Sequence, residues 1–251
     1  MMPSARGMIP RNCPSTKSHV PDSSPHQDRA LPRNTRQHTH PGTGPMPEAG
    51  GDSVPSSGEP LPLAGAVLAG GRSRRMGRDK GLITLGGVPM VRIVVERLAR
   101  LADPVVVIAD RTTRYSQLDL PVLADLRPGC GPLGGIHAAL RQLDAREVFV
   151  LACDTPFVSE ELIAYIASFP TEAPARVAGM DGHRHPLCGV YSRPCLPAIE
   201  EAIENRRLAL HELLDRLQAA TVPVTANLPF YDRRLLLNIN DPAALATLDA
   251  G

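Results

Sequence analysis

The chain has 251 residues, of which 43% are apolar and 21% are charged, and its formal net charge at pH 7 is +1. A chain of this length forms one large domain or two small ones, and this apolar content is sufficient for a substantial core. Because the net charge is close to zero and Trp is absent, the composition favours neither a nucleic-acid partner nor a membrane, and we expect neither.

The N-terminal segment 1–62 differs in composition from the rest of the chain. It is rich in Pro, Ser, Thr, Gly, His and Arg and shows no apolar periodicity. Such a segment cannot bury enough apolar surface to offset the entropy lost on ordering, so we predict a disordered extension at 1–62 and a folded domain at 63–251. It lacks the apolar core of a secretory signal. The position of Met46 leaves two alternatives open, a translation start placed too far upstream or a real but unstructured tail.

A glycine-rich loop follows the first predicted strand. Residues 64–68 form a continuous apolar run, which is typical of a strand buried on both faces. The loop combines glycines, which let backbone N–H groups approach an anion, with basic side chains that neutralise it. The glycines are Gly70, Gly71 and Gly77, and the basic residues are Arg72, Arg74, Arg75, Arg78 and Lys80. This combination predicts a loop that binds nucleotide phosphates.

The spacing within this loop indicates which phosphate-binding class it fits. It is not a Walker A loop, because Gly77 is followed by Arg-Asp-Lys-Gly without the hydroxyl that holds magnesium, and its glycines do not have the Rossmann spacing. The segment Leu68-Ala-Gly-Gly-x-Ser-x-Arg-Met-Gly-x-Asp-Lys80 resembles the signature of nucleotidyltransferases with a Rossmann-like fold, and most closely that of the molybdenum cofactor guanylyltransferases. The alternative is a glycine-rich turn that only connects a strand to a helix.

Strands and helices alternate after this loop. A helix is predicted from Pro89 to Arg100, and apolar runs at 105–109, 121–124 and 148–152 predict buried strands. Strand, helix and strand without hairpin signals indicate right-handed crossovers and a parallel sheet. We therefore predict an α/β fold, a Rossmann-like three-layer sandwich of the nucleotidyltransferase type with a mainly parallel sheet.

Two aspartates follow predicted strands, at the edge where open parallel sheets bind ligands. Asp125 follows the third strand and precedes a second glycine-rich loop at 127–135, which leads to a helix predicted at 136–143. Asp154 follows the fourth strand. A carboxylate beside a triphosphate is favourable only with a divalent metal between them, and the expected ion is Mg²⁺. The alternative role for Asp154 is an N-cap, but Ser159 is better placed to cap the next helix.

The second half of the chain departs from simple alternation. A helix is predicted at 159–169, and segments 176–180 and 185–191, separated by an Asp-Gly turn, predict a hairpin-like pair. Two further helices are predicted at 196–205 and 209–217.

Histidines and cysteines in this half do not indicate a metal site. His183, His185, Cys188 and Cys195 match no standard zinc spacing. The five cysteines of the chain form no CxxC pair, and a disulfide framework is not expected at this length. We therefore expect reduced thiols and a cytoplasmic protein.

The resemblance to the guanylyltransferases covers essentially all of residues 64–251. Beyond the first loop, similar elements are Gly-Pro-Leu-Gly-Gly at 131–135, Cys-Asp-Thr-Pro at 153–156 and Asn-Ile-Asn-Asp-Pro at 238–242. The resemblance implies transfer of GMP from GTP to the terminal phosphate of molybdopterin (Mo-molybdopterin), forming the guanine dinucleotide and releasing pyrophosphate. It also implies transient contact with molybdoenzymes or their chaperones, which would receive the product.

Together with side-chain chemistry, the resemblance assigns the residues that bind GTP. Lys80 is expected at the triphosphate, with Arg75 assisting, and Asp154 is expected to hold Mg²⁺. Asp125 is expected to accept hydrogen bonds from guanine N–H groups. Backbone groups that contact the nucleotide are expected from Leu68, Ala69, Gly70 and Gly71.

The acceptor side has weaker signals. The resemblance places His185, with the adjacent Pro186, beside the pterin, and it places Asn238 and Asn240 near the metal and the acceptor. An alternative for the asparagine segment is a strand-to-helix corner capped by Asp241, but this does not account for both asparagines.

Three other functions remain open at the level of the sequence. A CTP-dependent transferase acting on the same pterin usually has Ala-Ala-Gly where this chain has Leu68-Ala-Gly-Gly, and a sugar-1-phosphate nucleotidyltransferase shares the first loop. A non-catalytic module that carries the cofactor is the third. One position departs from the family: Ile108 stands where an Asn near the nucleoside is frequent, so either Asp110 substitutes for it or that contact is absent.

Overall fold

A seven-stranded sheet with helices on both faces forms the body of the protein. The computed structural model describes residues 63–69 and 80–239, and these residues are the basis of all structural statements below. The strands are β1 (Ala64–Leu68), β2 (Thr84–Leu85), β3 (Val88–Pro89), β4 (Val105–Ala109), β5 (Val122–Ala124), β6 (Glu147–Ala152), β7 (Ala175–Met180), β8 (His183–Ser192) and β9 (Ala220–Pro223). The α-helices are α1 (Met90–Leu98), α2 (Pro132–Gln142), α3 (Glu160–Ser168), α4 (Leu196–Glu204) and α5 (Leu210–Arg216).

The order of the main sheet is β5-β4-β1-β6-β8-β7-β9. Strands β5, β4, β1 and β6 are parallel neighbours, and β7 is parallel to β9. Strand β8 is antiparallel to both β6 and β7. The carboxyl ends of β5, β4, β1 and β6 therefore lie at one edge of the sheet, and β8 begins at that same edge.

Two apolar layers cover the faces of the sheet. On one face, Val67, Val107 and Phe149 pack with residues of α1 and α3. On the other face, Ala66 and Val150 pack with residues of α2, α4 and α5. Because neighbouring residues of a strand point to opposite faces, a strand covered on both sides is apolar throughout, and all five residues of β1 are buried. The predicted three-layer α/β fold with a mainly parallel sheet is confirmed.

Several helices and strands begin or end at residues other than those predicted. Pro89 does not open α1 but ends β3 in a small hairpin with β2, and it forms the N-cap of the helix. Helix α2 begins at Pro132, earlier than predicted, because Gly131 adopts a φ of 61° and proline is favourable in a first helical turn. Strand β9 was not predicted. The segment 233–236 is a turn, and the helix predicted after Asp241 lies outside the described residues.

The described residues all belong to a unit spanning Gly51–Gly251. The predicted extension at 1–62 lies outside the described residues, as do Gly70, Gly71, Arg75 and Asn240. Within the described ranges, no helix is both long and apolar enough to cross a membrane. The cysteines described are buried and not disulfide-bonded; they are Cys130, Cys153, Cys188 and Cys195.

Candidate active site

Lys80 and Asp154 meet at the carboxyl edge of the sheet. The Lys80 Nζ lies 3.5 Å from Asp154 Oδ2, and the side chains are 32% and 17% exposed. Asp154 is not the N-cap of α3, because the Ser159 side chain accepts a hydrogen bond of 3.2 Å from the Leu162 N–H in that role. The carboxylate of Asp154 is therefore available at the sheet edge, next to a cation that follows the glycine-rich loop.

Backbone hydrogen bonds fix Asp154 between two other parts of the chain. The N–H of Cys153 donates to the carbonyl of Leu68 at the end of β1, at 3.1 Å. The N–H of Ile239 donates to the carbonyl of Asp154, at 2.8 Å. The second bond holds the main chain next to Asn238 against Asp154. These contacts join the start of the glycine-rich loop, the end of β6 and the asparagine segment.

Tyr115 contacts the chain on both sides of the glycine-rich loop. Its ring is fully buried, and its hydroxyl donates to the carbonyl of Ala69 at 3.2 Å. It also packs against Gly81, where a Cβ would lie 3.0 Å from the Tyr115 hydroxyl oxygen. Ala69, directly before the segment 70–79, and Gly81, directly after Lys80, therefore both contact the buried Tyr115.

Some backbone N–H and carbonyl groups at the end of β1 already form hydrogen bonds within the protein. The N–H of Ala69 donates to the carbonyl of Ile108 at 2.9 Å, so this N–H is engaged within the sheet. The carbonyls of Leu68 and Ala69 each accept one bond from the protein and can accept a second, because a carbonyl oxygen has two lone pairs. Ile108 is buried in the core, whereas Asp110 is exposed just after β4.

Asp125 lies on the other side of β1 from Asp154, against the first turn of α2. Its Oδ1 accepts a hydrogen bond of 2.8 Å from the Arg127 N–H. A Cβ at Gly134 would lie 3.0 Å from both carboxylate oxygens of Asp125 and 2.8 Å from the Arg127 carbonyl oxygen. The glycine thus allows the carboxylate to approach the N-terminus of α2, where the helix dipole favours negative charge.

A cavity of about 490 Å³ opens beside Asp154, between the end of β6, the start of β8 and α5. Three of the predicted site residues line it, namely Asp154, His185 and Asn238. Arg184 and His211 also line it, and the sequence did not single them out. Their signal was weak, because a basic residue within a predicted strand and a histidine in a predicted helix usually face solvent. Asp125, Leu68 and Ala69 do not line this cavity.

A bulge in β8 forms one wall of the cavity. In the pairing with β7, Ala178 is opposite His185 but the neighbouring Val177 is opposite Gly189, so the three residues between them, including Pro186, are unmatched. The hydroxyl of the fully buried Tyr191 donates to the Pro186 carbonyl at 2.7 Å. Proline fits such a position because it has no N–H to contribute to the sheet.

The wall formed by β8 and α5 contains several titratable groups. Burial lowers the pKa of His185, and the nearby His183 and His211 lower it further, whereas Asp181 opposes them. The guanidinium of Arg184 is held by Asp215, with Nη2 2.7 Å from Oδ1. Burial raises the pKa of the Cys188 thiol, which also lines the cavity, to about 12. This thiol is therefore neutral and unreactive at physiological pH.

The family profile described as "MobA-like NTP transferase domain" matches residues 65–222. The chain belongs to this family. A protein of Carboxydothermus hydrogenoformans named "Probable molybdenum cofactor guanylyltransferase" is 33% identical over 183 residues, covering 72% of this chain and 92% of the relative. A protein of the same name from Mycobacterium bovis is 35% identical over 191 residues, covering 74% and 92%.

The fold of this MobA-like chain is similar to a solved structure from Archaeoglobus fulgidus. That structure, named molybdopterin-guanine dinucleotide biosynthesis protein A, superposes with a TM-score of 0.62 at 28% identity, covering 75% of this chain and 97% of that one. The prediction that the chain is a nucleotidyltransferase of the molybdenum cofactor guanylyltransferase type is confirmed at the level of the family.

The described part of this MobA-like protein contains no cluster of three or more His, Cys, Asp or Glu that could hold a metal. Mg²⁺ does not need such a cluster, because it is usually held by one or two carboxylates together with substrate phosphates. Asp154, partly exposed at the cavity and adjacent to the ammonium of Lys80, is the carboxylate that fits this pattern.

Proposed function

We propose that the protein transfers GMP from GTP to molybdopterin, forming the guanine dinucleotide and releasing pyrophosphate. The observation that carries the proposal is the Lys80–Asp154 pair, 3.5 Å apart at the carboxyl edge of the sheet and beside a cavity large enough for a second substrate. The names of the relatives supply the nucleotide and the acceptor, since both relatives are named as guanylyltransferases of the molybdenum cofactor.

In this reaction a phosphate oxygen of the acceptor attacks the α-phosphorus of GTP. A new phosphoanhydride bond forms, the bond between the α- and β-phosphates breaks, and its electron pair leaves with pyrophosphate. The attacking phosphate is already anionic, so no strong general base is required. The barrier arises mainly from repulsion between anions and from charge that develops on the leaving group, and catalysis is therefore positioning plus electrostatic stabilisation.

The residues at the sheet edge suit this chemistry. Lys80 places a positive charge at the triphosphate, and Arg75 is proposed to assist it. Asp154 would hold Mg²⁺, which neutralises phosphate charge when bound. The backbone bonds from Cys153 to Leu68 and from Ile239 to Asp154 fix the main chain at Asp154 beside the end of β1.

Guanine recognition is proposed on the opposite side of β1. Asp125 has the acceptor oxygens that guanine N1–H and N2–H₂ require, and Oδ1 is already oriented by the Arg127 N–H. The remaining carbonyl lone pairs of Leu68 and Ala69, with the backbone of Gly70 and Gly71, complete the proposed nucleotide contacts. This places the base and the acceptor on different sides of the first strand, with the phosphates between them.

The acceptor is proposed to occupy the cavity, beside His185, Asn238 and Asn240. His185 and Asn238 line the cavity. Asn240 follows Ile239, whose N–H donates to the Asp154 carbonyl. Because the product must pass to the enzymes that use it, we also propose transient contact with molybdoenzymes or their chaperones.

The test is calorimetric titration of GTP, CTP, ATP and UTP with Mg²⁺, followed by incubation with molybdopterin and α-labelled nucleotide. We expect selective GTP binding, label in a pterin dinucleotide and one pyrophosphate per product. Transfer from CTP alone would replace the proposal with the cytidylyl activity, and transfer only to a sugar 1-phosphate would replace it with that class. Absence of nucleotide binding would favour a non-catalytic cofactor-binding module.

A further inference from the structure

The cavity wall formed by β8 and α5 contains an arginine and two histidines. The wall is lined by Arg184 and His185, near the start of β8, and by His211 on α5. Among the described residues that line the cavity, Asp154 is the only acidic one. His185 and His211 are close enough to affect each other electrostatically. The permanently charged guanidinium of Arg184 favours an anionic group on the side of the cavity formed by β8 and α5.

Arg184 is held in place by α5. Its Nη2 donates to Asp215 Oδ1 at 2.7 Å and approaches the His211 carbonyl at 3.4 Å, and the side chain is only 26% exposed. A guanidinium has five N–H donors in a rigid plane, and these two contacts use only Nη2. The planar group therefore has further donors for an anion, and Asp215 fixes the direction in which they point.

A cation on this wall would offset the electrostatic repulsion between the two anionic substrates. The acceptor is an anionic phosphate ester and must enter a site next to the triphosphate of GTP, which repels it. Guanidinium groups bind phosphate and similar oxyanions with two parallel hydrogen bonds, which gives both charge and orientation.

We propose that Arg184 binds an anionic group of the acceptor substrate and that Asp215 is a positioning residue that orients Arg184 for this contact. This assignment rests on the proposed function only for the identity of the acceptor. The anion site is inferred from the residues of the cavity and does not depend on the proposed function.

The first experiment measures acceptor KM, kcat and GTP Kd in the full-length protein and in Arg184→Gln, Arg184→Lys and Asp215→Asn variants. Arg184→Gln is expected to raise the acceptor KM roughly 10- to 100-fold, as for the loss of a hydrogen bond to a charged group, with GTP Kd unchanged. Arg184→Lys should recover part of this loss, because it keeps the charge without the planar fork. Asp215→Asn should raise KM by a smaller factor.

The matched control is Arg193→Gln. Arg193 follows the other end of β8 and also pairs with an aspartate, since its Nη2 lies 3.2 Å from Asp144 Oδ1. Loss of this arginine should leave the acceptor KM unchanged. If Arg184→Gln behaves like Arg193→Gln while the wild type transfers GMP normally, the role of Arg184 is overturned and the proposed function stands.

The second experiment tests the anion site without molybdopterin. Inorganic phosphate is titrated into the wild type and into Arg184→Gln while the imidazole NMR signals of His185 and His211 are followed. Saturable shifts in the wild type that disappear in Arg184→Gln support the site, even if the protein transfers no GMP to molybdopterin and the proposed function has failed. Equal responses in both proteins, or none in the wild type, overturn it.

Discussion

The ammonium of Lys80 lies 3.5 Å from the carboxylate of Asp154, although in chain order Lys80 follows the first and Asp154 the last of the four parallel strands β1, β4, β5 and β6. Lys80 is the last basic residue of the loop that the sequence predicts to bind phosphates, and Asp154 follows β6. Their pairing gives the proposed GTP site one cation for the phosphates and one oxygen ligand for a metal. Because both side chains are partly exposed, this ion pair contributes little to the free energy of unfolding, and the role proposed for it is ligand binding.

Replacing either partner should therefore impair catalysis without unfolding the protein. We expect Lys80→Met and Asp154→Asn each to lower the rate of GMP transfer about 10²- to 10³-fold, as for removal of one preorganised charge. The free energy of unfolding should change by less than ~1 kcal/mol. Glu96→Gln is a suitable control, since Glu96 forms a surface ion pair with Arg92 on α1. Near-normal turnover in Asp154→Asn would contradict the metal assignment.

Asp125→Asn tests base recognition while preserving the loop. The asparagine carbonyl can still accept from the Arg127 N–H, but the other carboxylate oxygen becomes an amide donor. We expect GTP to bind roughly tenfold more weakly, with binding of CTP unaffected, because one hydrogen bond to a charged group is lost. Calorimetric titration of both nucleotides measures this difference. Equal weakening of GTP and CTP would indicate that Asp125 only shapes the loop.

Tyr115 and Gly81 should behave as a coupled pair. Gly81→Ala introduces a Cβ 3.0 Å from the tyrosine hydroxyl oxygen and 3.3 Å from its ring, so we expect weaker GTP binding and lower stability. Tyr115→Phe loses the bond to Ala69, with a loss of about 0.5–1.5 kcal/mol in unfolding free energy. In the double variant the hydroxyl no longer obstructs the new methyl group, so the losses should be less than additive. Strict additivity would show that the two residues act separately.

Tyr191→Phe removes the hydroxyl that supports Pro186 in the cavity wall. We expect an increase of several-fold in acceptor KM with kcat and GTP Kd nearly unchanged, because the wall shifts while the phosphate site does not. Tyr165→Phe is the matched control, since the Tyr165 hydroxyl bonds to the Pro223 carbonyl rather than to a residue of the cavity. A change in GTP affinity in Tyr191→Phe would mean that the substitution disturbs more than the wall.

The pH dependence of stability should report the burial of His185. Burial and the neighbouring histidines lower the pKa of His185 below its ordinary value of 6.5, so below this pH the unfolded chain binds more protons than the folded one. The unfolding free energy should fall as pH decreases from 6.5 to the lowered pKa, and the effect of His185 should level off below it. Thermal unfolding of the wild type and His185→Gln from pH 4 to 8 measures this, with a shallower slope expected in the variant. Parallel slopes would contradict it.

Much of the region from β1 to β6, which contains the proposed nucleotide site, could be predicted from the sequence because its signals are local. Buried parallel strands are continuous apolar runs, and Asp125 and Asp154 follow two of them directly. Ser159 was identified as a cap from its position before the apolar face of α3. These features depend on short stretches of chain and on the general rule that ligands bind at the carboxyl ends of parallel strands.

The cavity could not be derived in the same way because it depends on contacts between distant segments. Arg184, which lines the cavity, is held by Asp215 of α5, and Pro186, which also lines it, is held by the Tyr191 hydroxyl. Neither contact has a periodic or compositional signal. Strand β9 was missed for a related reason, since it has only four residues and only one of them is buried.

The reversed direction of β8 places the proposed acceptor wall and the proposed nucleotide site on different stretches of the chain. The parallel strands direct their carboxyl-terminal loops to the proposed nucleotide site, whereas β8 contributes residues near its start, among them Arg184 and His185, to the cavity. Substitutions in β8 therefore change the proposed acceptor wall without altering any residue that precedes Asp154. Under the proposed function, variants of β8 are expected to change the choice of acceptor and to leave the choice of nucleotide intact.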